Sequence, residues 1–419
     1  MPSAPTSRPV SRVFYGWWIV AAMTVLLTTI GGLAFYNLSV LLQAFVAERG
    51  FPVSMASNAT ALFFLSSGVA GIVTGRFIDR IDARYFVICS ATLSALALTA
   101  IGWVRTPWQL YLFYLLFGLA YGGCGLVPAM TVLTRWFDAK RATALSIAMT
   151  GLSLGGALIT PVTAWLISRV GLAGAGPWLG AAFFIGVAPL TLLVLRPSPE
   201  SMGLNPDGVP VRPGHKPGLV RTGFTWPQAR ASRFFWGISL AYVFTMAAQV
   251  GGISHLFSMI ASRAGHETAA LGVSLLAFAS ITGRLSGGVI LLRAPSLPFT
   301  LISMFFQAAA LLLVSFSQDR ILLLTAVVLF GLPVGNLLMM QPLLVAEAFG
   351  TREYGQIYSA HTLITMAGVA GGPMVLGLLH DLFNGYGPPY LFAAILGFSG
   401  SVTLILAGRP PAPPPPAAQ

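Results

Sequence analysis

The stretch that decides the fold is Arg196–Arg233, RPSPESMGLNPDGVPVRPGHKPGLVRTGFTWPQARASR, which lies near the middle of the chain. It is rich in Pro, Gly and Arg and shows no apolar periodicity, so it predicts a linker rather than a packed domain. Long apolar runs lie on both sides of it. The linker therefore separates an N-terminal half, 1–195, from a C-terminal half, 234–408, and a Pro-rich tail over 409–419 follows.

The composition is that of a membrane protein. Of the 419 residues, 56% are hydrophobic and only 8% are charged, and the mean hydropathy is +0.81. Soluble domains are about one-quarter charged. The apolar runs predict an all-α membrane protein with twelve transmembrane helices, six in each half. The candidate spans are 16–42, 55–77, 85–104, 108–134, 142–167, 177–195, 235–260, 268–292, 297–317, 321–346, 354–380 and 388–407.

The net charge of +12 comes from 23 basic and 11 acidic residues. We reject nucleic acid as a partner, because the basic residues are scattered between apolar runs and their asymmetry follows membrane topology. With the N-terminus inside, the outer segments carry five basic residues, one lies within a span, and the inner segments carry the other seventeen. The residue within a span is Arg284, and the five outer residues are Arg49, Arg105, Arg169, Arg263 and Arg320. Both termini are therefore expected in the cytoplasm of a bacterial inner-membrane protein.

No cofactor or metal is expected. The two cysteines, Cys89 and Cys124, fall in apolar runs and show neither metal-ligand spacing nor a disulfide framework. The sequence also contains no nucleophile–base constellation, phosphate-binding loop or metal cluster, so an enzyme is not expected.

The loop after the second span reads GRFIDRIDAR, Gly75–Arg84. It resembles the signature loop of the major facilitator superfamily, with Gly75, Asp79, Arg80 and Arg84 in place. Two halves joined by a basic loop are also typical of transporters built from parallel repeats. The resemblance implies that Asp79 helps to hold the halves together, which makes these four residues gating candidates. It also implies a monomer.

The second half carries a degenerate copy of this loop, GVILLR. Gly288 and Arg293 match Gly75 and Arg80, whereas Leu292 stands where the acidic residue would be. A narrower resemblance lies in Gly118–Gly156, which is similar to the fourth and fifth spans of the oxalate/formate antiporter and monocarboxylate transporter families. The opening YGWWIV is also common in those families.

Ionisable residues within spans are functional by default. Arg284 lies in span eight, nine residues before Arg293, and His361 lies in span eleven, eight residues after Glu353. At the rise of an α-helix, both are about 12–13 Å from the same membrane surface. A cation and an imidazole are therefore expected near the midplane, where transporter sites lie.

No carboxylate lies near the middle of any span, so a carboxylate substrate is the expected partner of Arg284. A guanidinium can donate two parallel hydrogen bonds to it. An imidazole gains and loses a proton near neutral pH, which suits His361 to substrate binding and proton coupling. His361 can instead be a packing residue bonded to a serine, and Arg284 a structural residue bonded to backbone carbonyls. The other expected cavity residues are Tyr36, Asn37, Tyr121, Gln249 and Tyr358.

The family resemblance refines this hypothesis. In oxalate/formate antiporters, span eight carries an arginine and span eleven a lysine in a motif like YTAK, whereas this chain has YSAH ending in His361. One permanent and one conditional charge favour a monocarboxylate over a dicarboxylate. In monocarboxylate transporters an acidic residue precedes the span-eight arginine by four positions; here Ser280 stands there, so a span-eight carboxylate as proton carrier is not supported.

The sequence thus predicts a secondary transporter of a small organic anion, a monocarboxylate by preference, working by alternating access with possible proton coupling. One alternative is an anion antiporter of oxalate/formate type. Another is a proton-driven exporter of drugs or metabolites, although the membrane carboxylates common in exporters are missing. A membrane sensor is a third, but the linker is too short for a signalling domain.

Overall fold

A computed structural model describes residues 14–78, 81–209 and 222–411. In this part of the chain the only β pairing is one isolated bridge between Gly223 and Gly350. The long helices are α1 Gly16–Arg49, α2 Val53–Ile78, α3 Ala83–Trp103, α4 Pro107–Trp136, α5 141–170, α6 172–193, α7 Arg233–Ala264, α8 His266–Ile290, α9 Ser296–Phe316, α10 Arg320–Phe349, α11 Tyr354–Phe383 and α12 Gly387–Ala407.

Eleven described segments are long and apolar enough to cross a membrane, and one of them crosses twice. Arg141–Leu193 contains 53 residues, which corresponds to roughly 80 Å of helix, whereas a hydrocarbon core is about 30 Å thick. Gly171 breaks this segment with a left-handed φ of 68°. The Glu48 carboxylate then accepts the backbone N–H of Leu172 at 3.0 Å and caps α6. The prediction of twelve membrane-spanning helices is confirmed.

The helix contacts repeat between the two halves. In the first half α1 packs on α5, α2 on α4 and α3 on α6; in the second half α7 packs on α11, α8 on α10 and α9 on α12. Each helix pair of the first half therefore has a counterpart in the second half, six helices later in the chain. This relation is that of parallel repeats. The boundaries predicted for the halves, at 1–195 and 234–408, stay predictions.

Two seams join the halves, one between α2 and α11 and the other between α5 and α8. Glycines make both seams close. A Cβ on Gly75 would lie 2.3 Å from the carbonyl oxygen of Gly355, and a Cβ on Gly288 would lie 2.6 Å from the side-chain Cβ of Ser146. The two halves are thus in contact along both seams at the end of the bundle that carries the linker. We call this end the linker end.

The described parts of the linker are attached to both halves. Near its start, the Asp207 carboxylate accepts the backbone N–H groups of residues 138–140, in the loop between α4 and α5, at 2.7–3.2 Å. Near its end, the Trp226 N–H donates to the Glu353 carboxylate, between α10 and α11, at 2.7 Å. The two attachment points are equivalent loops of the two repeats. Residues 210–221 and the tail from 412 lie outside the described residues.

Helices α1 and α5 each contain one π-helical segment, Gly31–Phe35 and Gly155–Ile159. The two segments pack against each other so closely that a Cβ on Gly32 would lie 2.6 Å from the Gly155 carbonyl oxygen. π-Helical turns are rare and are frequent at functional sites. Tyr36 follows the first segment directly, and Ser153 stands two residues before the second.

Candidate functional site

A cavity of about 160 Å³ lies between the two halves. Apolar side chains such as Phe35, Phe64, Met246 and Met366 form most of its wall. Its polar lining residues come from both halves: Tyr36, Ser67, Tyr121, Ser153, Gln249, Ser280, Arg284, Gln341, Ser359, Thr362 and Thr365. The volume and the mixed lining suit a small solute with an apolar portion and a polar end.

Arg284 of α8 is the one charged side chain among the described residues that line this cavity. It is only 1% exposed. Its Nε donates to the carbonyl oxygen of Gly335 in α10 at 3.1 Å. Its Nη1 donates to the carbonyl oxygen of Met149 at 2.6 Å and to Ser153 Oγ at 3.2 Å, both in α5. The guanidinium therefore connects α8 and α10 with α5 of the other half.

All of these acceptors are neutral. Within the described residues no carboxylate pairs with Arg284. Acidic side chains there pair with other bases, as in Arg84–Asp82, Arg141–Asp138 and His380–Asp381. Neutral carbonyls solvate a guanidinium but do not cancel its charge, and a buried charge without a counter-charge is costly. The cavity is therefore electrostatically suited to an anion.

Three other predicted residues also line the cavity. Tyr36 follows the π-helical segment of α1 directly and lines the cavity together with Ser153 and Arg284. Tyr121 of α4 and Gln249 of α7 are almost fully buried and face the same space. The structure thus brings these three residues and Arg284 together around one cavity, while their roles in binding stay predictions.

His361 has a different position. It is fully buried and is not among the residues that line the cavity; its α11 neighbours Ser359 and Thr362 are. Its Nδ1 lies 3.1 Å from Ser239 Oγ of α7, and its ring meets that of Tyr242 edge-on with centroids 5.5 Å apart. Its Nε2 is buried without a hydrogen-bond partner. His361 therefore lies behind the cavity wall, between α7 and α11.

Asn37 and Tyr358 also lie away from the cavity lining. Asn37 is fully buried and donates through Nδ2 to the Leu33 carbonyl oxygen at 3.2 Å, within α1. Tyr358 is 1% exposed and stacks on Tyr354, with ring centroids 5.5 Å apart. Both side chains pack between helices, and their assignment to substrate binding stays a prediction.

Two of the four gating candidates can be placed. Gly75 lies in the α2–α11 seam at the linker end, against Gly355 and Ser359. Arg84 pairs with Asp82, the N-cap of α3, with Nη2 and Oδ2 2.6 Å apart. Partial burial raises the pKa of Asp82, but the hydrogen bonds and charge of Arg84 outweigh burial and hold that pKa below its usual value. Asp79 and Arg80 lie outside the described residues.

Ser153, which accepts a hydrogen bond from Arg284, is a site residue that was not predicted from the sequence. The same holds for four other polar residues of the cavity lining: Ser67, Ser359, Thr362 and Thr365. Ser153 stands in the Gly-rich run Gly151–Gly156, at the end of the stretch Gly118–Gly156 that resembles the two transporter families. The helical spacing of Ser146 and Ser153 is the feature of the sequence that could have identified it. Hydroxyls seven residues apart lie on one helix face, and here that face meets α8.

Comparison with known proteins agrees with this architecture. The family model described as Major Facilitator Superfamily matches residues 24–373. The chain belongs to the major facilitator superfamily. Members of this superfamily are transporters rather than enzymes, so this superfamily member is a multi-pass membrane transporter. The resemblance stated from the GRFIDRIDAR loop is thereby confirmed.

Similar sequences include other transporters of the superfamily. The MFS transporter asaE of Aspergillus flavus is 25% identical over 362 residues, which cover 83% of this chain and 75% of that protein. Human monocarboxylate transporter 2 is 22% identical over 434 residues, covering 97% and 88% of the two chains. The solved structure of the Escherichia coli fucose:proton symporter superposes with a TM-score of 0.70 at 15% identity, covering 93% and 98%. At this identity the structural likeness establishes the fold alone.

Proposed function

We propose that this transporter moves a small organic anion, a monocarboxylate by preference, across the bacterial cytoplasmic membrane, with Arg284 as the anion-binding group. One observation carries the proposal: a buried guanidinium faces the cavity between the halves, and its partners are all neutral. A carboxylate in the cavity supplies the missing counter-charge and can accept two parallel N–H groups. The likeness to a monocarboxylate transporter over 97% of the chain supports the same substrate class.

The size and lining of the cavity favour one carboxylate over two. A second carboxylate would need a second donor of positive charge, and the remaining described lining residues are neutral. The apolar wall formed by Phe35, Phe64 and Met246 instead suits a short hydrocarbon portion. An anion with one carboxylate and an apolar body therefore matches both Arg284 and the apolar wall.

The two seams support alternating access as the proposed transport mechanism. In the conformation described, α2 meets α11 and α5 meets α8 at the linker end. The distribution of basic residues favours a cytoplasmic position for this end and for both termini, and that topology is part of the proposal. Release to the cytoplasm requires both seams to open there, and rocking of one repeat against the other provides that motion.

Uptake into proteoliposomes tests the substrate class. Labelled monocarboxylates of two to four carbons are compared with dicarboxylates and with neutral amides of matched size. Each is measured with and without an inward proton gradient, and with and without anion inside the vesicle. We expect monocarboxylate uptake at least about tenfold above that of the amides, because the amides lack the charge that Arg284 binds. Equal uptake of amides and acids would contradict the proposal, and exchange restricted to dicarboxylates would assign the protein to the antiporter alternative.

His361 is proposed as the proton carrier, acting from behind the cavity wall. We expect His361→Gln to abolish stimulation by the proton gradient while changing the dissociation constant of the anion by less than about threefold, which is under 1 kcal/mol. Ser239→Ala is the matched control, since it removes the same hydrogen bond but keeps the imidazole. Wild-type stimulation of uptake in His361→Gln would leave His361 as a packing residue.

A further inference from the structure

The α5–α8 seam is held by hydrogen bonds that cross between the halves. Two of them use α5 hydroxyls as donors to backbone carbonyls of α8. Thr143 Oγ1 lies 3.3 Å from the Gly288 oxygen, and Ser146 Oγ lies 2.6 Å from the Arg284 oxygen. The other two run in the opposite direction, from Arg284 Nη1 to α5. The donors and acceptors on α5 recur every three or four residues, so they lie on one helix face.

The α2–α11 seam is built differently. There the closest approaches involve Gly75 with Gly355 and Ser359, and Gly68 with the Leu363 side chain. Among the described lining residues, the charged side chain lies in the α5–α8 seam. A ligand in the cavity can therefore act on that seam directly, through Arg284.

The N–H groups of the guanidinium are already largely occupied. A guanidinium has five N–H donors: one on Nε and two on each terminal nitrogen. Nε–H donates to Gly335, and the two N–H groups of Nη1 donate to Met149 and Ser153. A carboxylate that binds in a fork takes two parallel N–H groups, either from Nε and Nη2 or from Nη1 and Nη2. Each of these pairs includes a donor that is in use.

We infer that a carboxylate substrate displaces the Ser153 hydroxyl from Arg284 and so releases a hydrogen bond between the two halves. At 3.2 Å the Ser153 contact is the longest of the three, and a hydroxyl can rotate to another partner, whereas the carbonyls of Gly335 and Met149 are fixed by their helices. Ser153 is thus a positioning residue that holds the empty binding group to the N-terminal half. This inference rests on the proposed role of Arg284 in anion binding.

The inference makes substrate binding and seam opening one event. Without substrate, Arg284 is tied to α5 and the linker end is held closed. With substrate, the guanidinium exchanges an inter-half bond for a bond to the anion, and the seam loses one of its four hydrogen bonds. A ligand shifts a conformational equilibrium only through such a difference in contacts between states.

The test compares Ser153→Ala with Ser168→Ala, a matched control on α5 whose hydroxyl bonds to the Trp165 carbonyl of its own helix. Two spin labels report the opening of the linker end. They are attached through Lys140→Cys before α5 and Arg293→Cys after α8, which are both exposed. The native Cys89 and Cys124 are replaced by alanine. Lactate, a three-carbon monocarboxylate, is the probe.

We expect lactate to lengthen the distance between the labels in the parent protein, and Ser153→Ala to show part of this lengthening without lactate. Loss of the competing hydroxyl should also tighten lactate binding about fivefold, the effect of one hydrogen bond, and lower KM more than kcat. Ser168→Ala should change neither quantity. Identical distances and affinities in the two serine variants would overturn the inference while leaving anion binding at Arg284 intact. If lactate fails to bind the parent protein, the proposed anion site is at fault, and the distances without ligand still decide the role of Ser153.

Discussion

Arg284→Ala is expected to remove anion binding and transport while leaving a folded protein. The substrate carboxylate would lose its only cationic partner in the described cavity lining. Removing one partner of a buried charged pair typically costs about 3–5 kcal/mol, which is a loss of affinity of more than a hundredfold. Binding is measured by ligand-induced thermal stabilisation in detergent and transport in proteoliposomes.

Arg284→Lys separates charge from geometry. Lysine keeps a positive charge but presents it as a point rather than a planar fork, so it cannot replace two parallel hydrogen bonds. We expect the affinity for the anion to fall by about tenfold or more, consistent with the loss of one charge-assisted hydrogen bond. This variant also gives a binding result if the alanine protein proves too unstable to purify.

Arg263 provides the control for the structural contribution of an arginine. In the last turn of α7 it donates to the backbone carbonyl oxygens of Val314, Ser315 and Ser317 at 2.7–3.2 Å, much as Arg284 donates to carbonyls, but it lies outside the cavity lining. Arg263→Ala should lower thermal stability and spare the affinity for the anion. If Arg284→Ala behaves like Arg263→Ala, with lower stability and wild-type affinity, Arg284 is a structural residue.

Gly75→Val is expected to keep the linker end from closing and to abolish transport. A Cβ at this position would lie 2.3 Å from both the Gly355 carbonyl oxygen and Ser359 Oγ, which is far inside contact distance. Overpacking a tight contact costs about 1–3 kcal/mol, enough to shift a two-state equilibrium by roughly fivefold to over a hundredfold. The closed state should therefore become the minor one, because only that state carries the clash.

The labels at positions 140 and 293 report this shift, since Gly75→Val should lengthen their mean separation without any ligand. Gly288→Val tests the equivalent point of the other seam, where a Cβ would meet Ser146. Gly371→Ala is the control on α11, because nothing lies within 4 Å of its added Cβ. Normal transport by Gly75→Val would show that the α2–α11 seam need not close to the extent seen here.

The helices were predictable because their signal is strong and local. Twelve apolar runs define twelve spans, and helical rise alone placed Arg284 at a depth where both halves meet. The boundary between α5 and α6 was also visible in the sequence, although the helix is continuous there except at Gly171. Its left-handed conformation is accessible to glycine at little cost, so one residue suffices to separate two spans.

The direction of a side chain around a helix was much harder to predict. His361 and Thr362 are neighbours on α11, yet Thr362 lines the cavity and His361 faces α7. Consecutive residues on an α-helix differ in direction by about 100°. A span that is apolar on most of its circumference offers no stripe to fix that direction. The position of a residue along its helix therefore followed from the sequence. The directions in which the side chains of His361, Asn37 and Tyr358 point became clear only from the packed structure.

The paired π-helical segments have a consequence for comparing this transporter with its relatives. Their hydrogen bonds run from residue i+5 to residue i, as from the Tyr36 N–H to the Gly31 oxygen, so each segment accommodates one residue more than α-helix of the same span. Beyond Phe35 in α1 and beyond Ile159 in α5, the side chains occupy the directions of a helix that is one residue shorter. A relative without the extra residue would place a different sequence neighbour where Tyr36 stands. Alignments of the two chains would then need a one-residue gap at both glycine-rich points before any residue role is transferred.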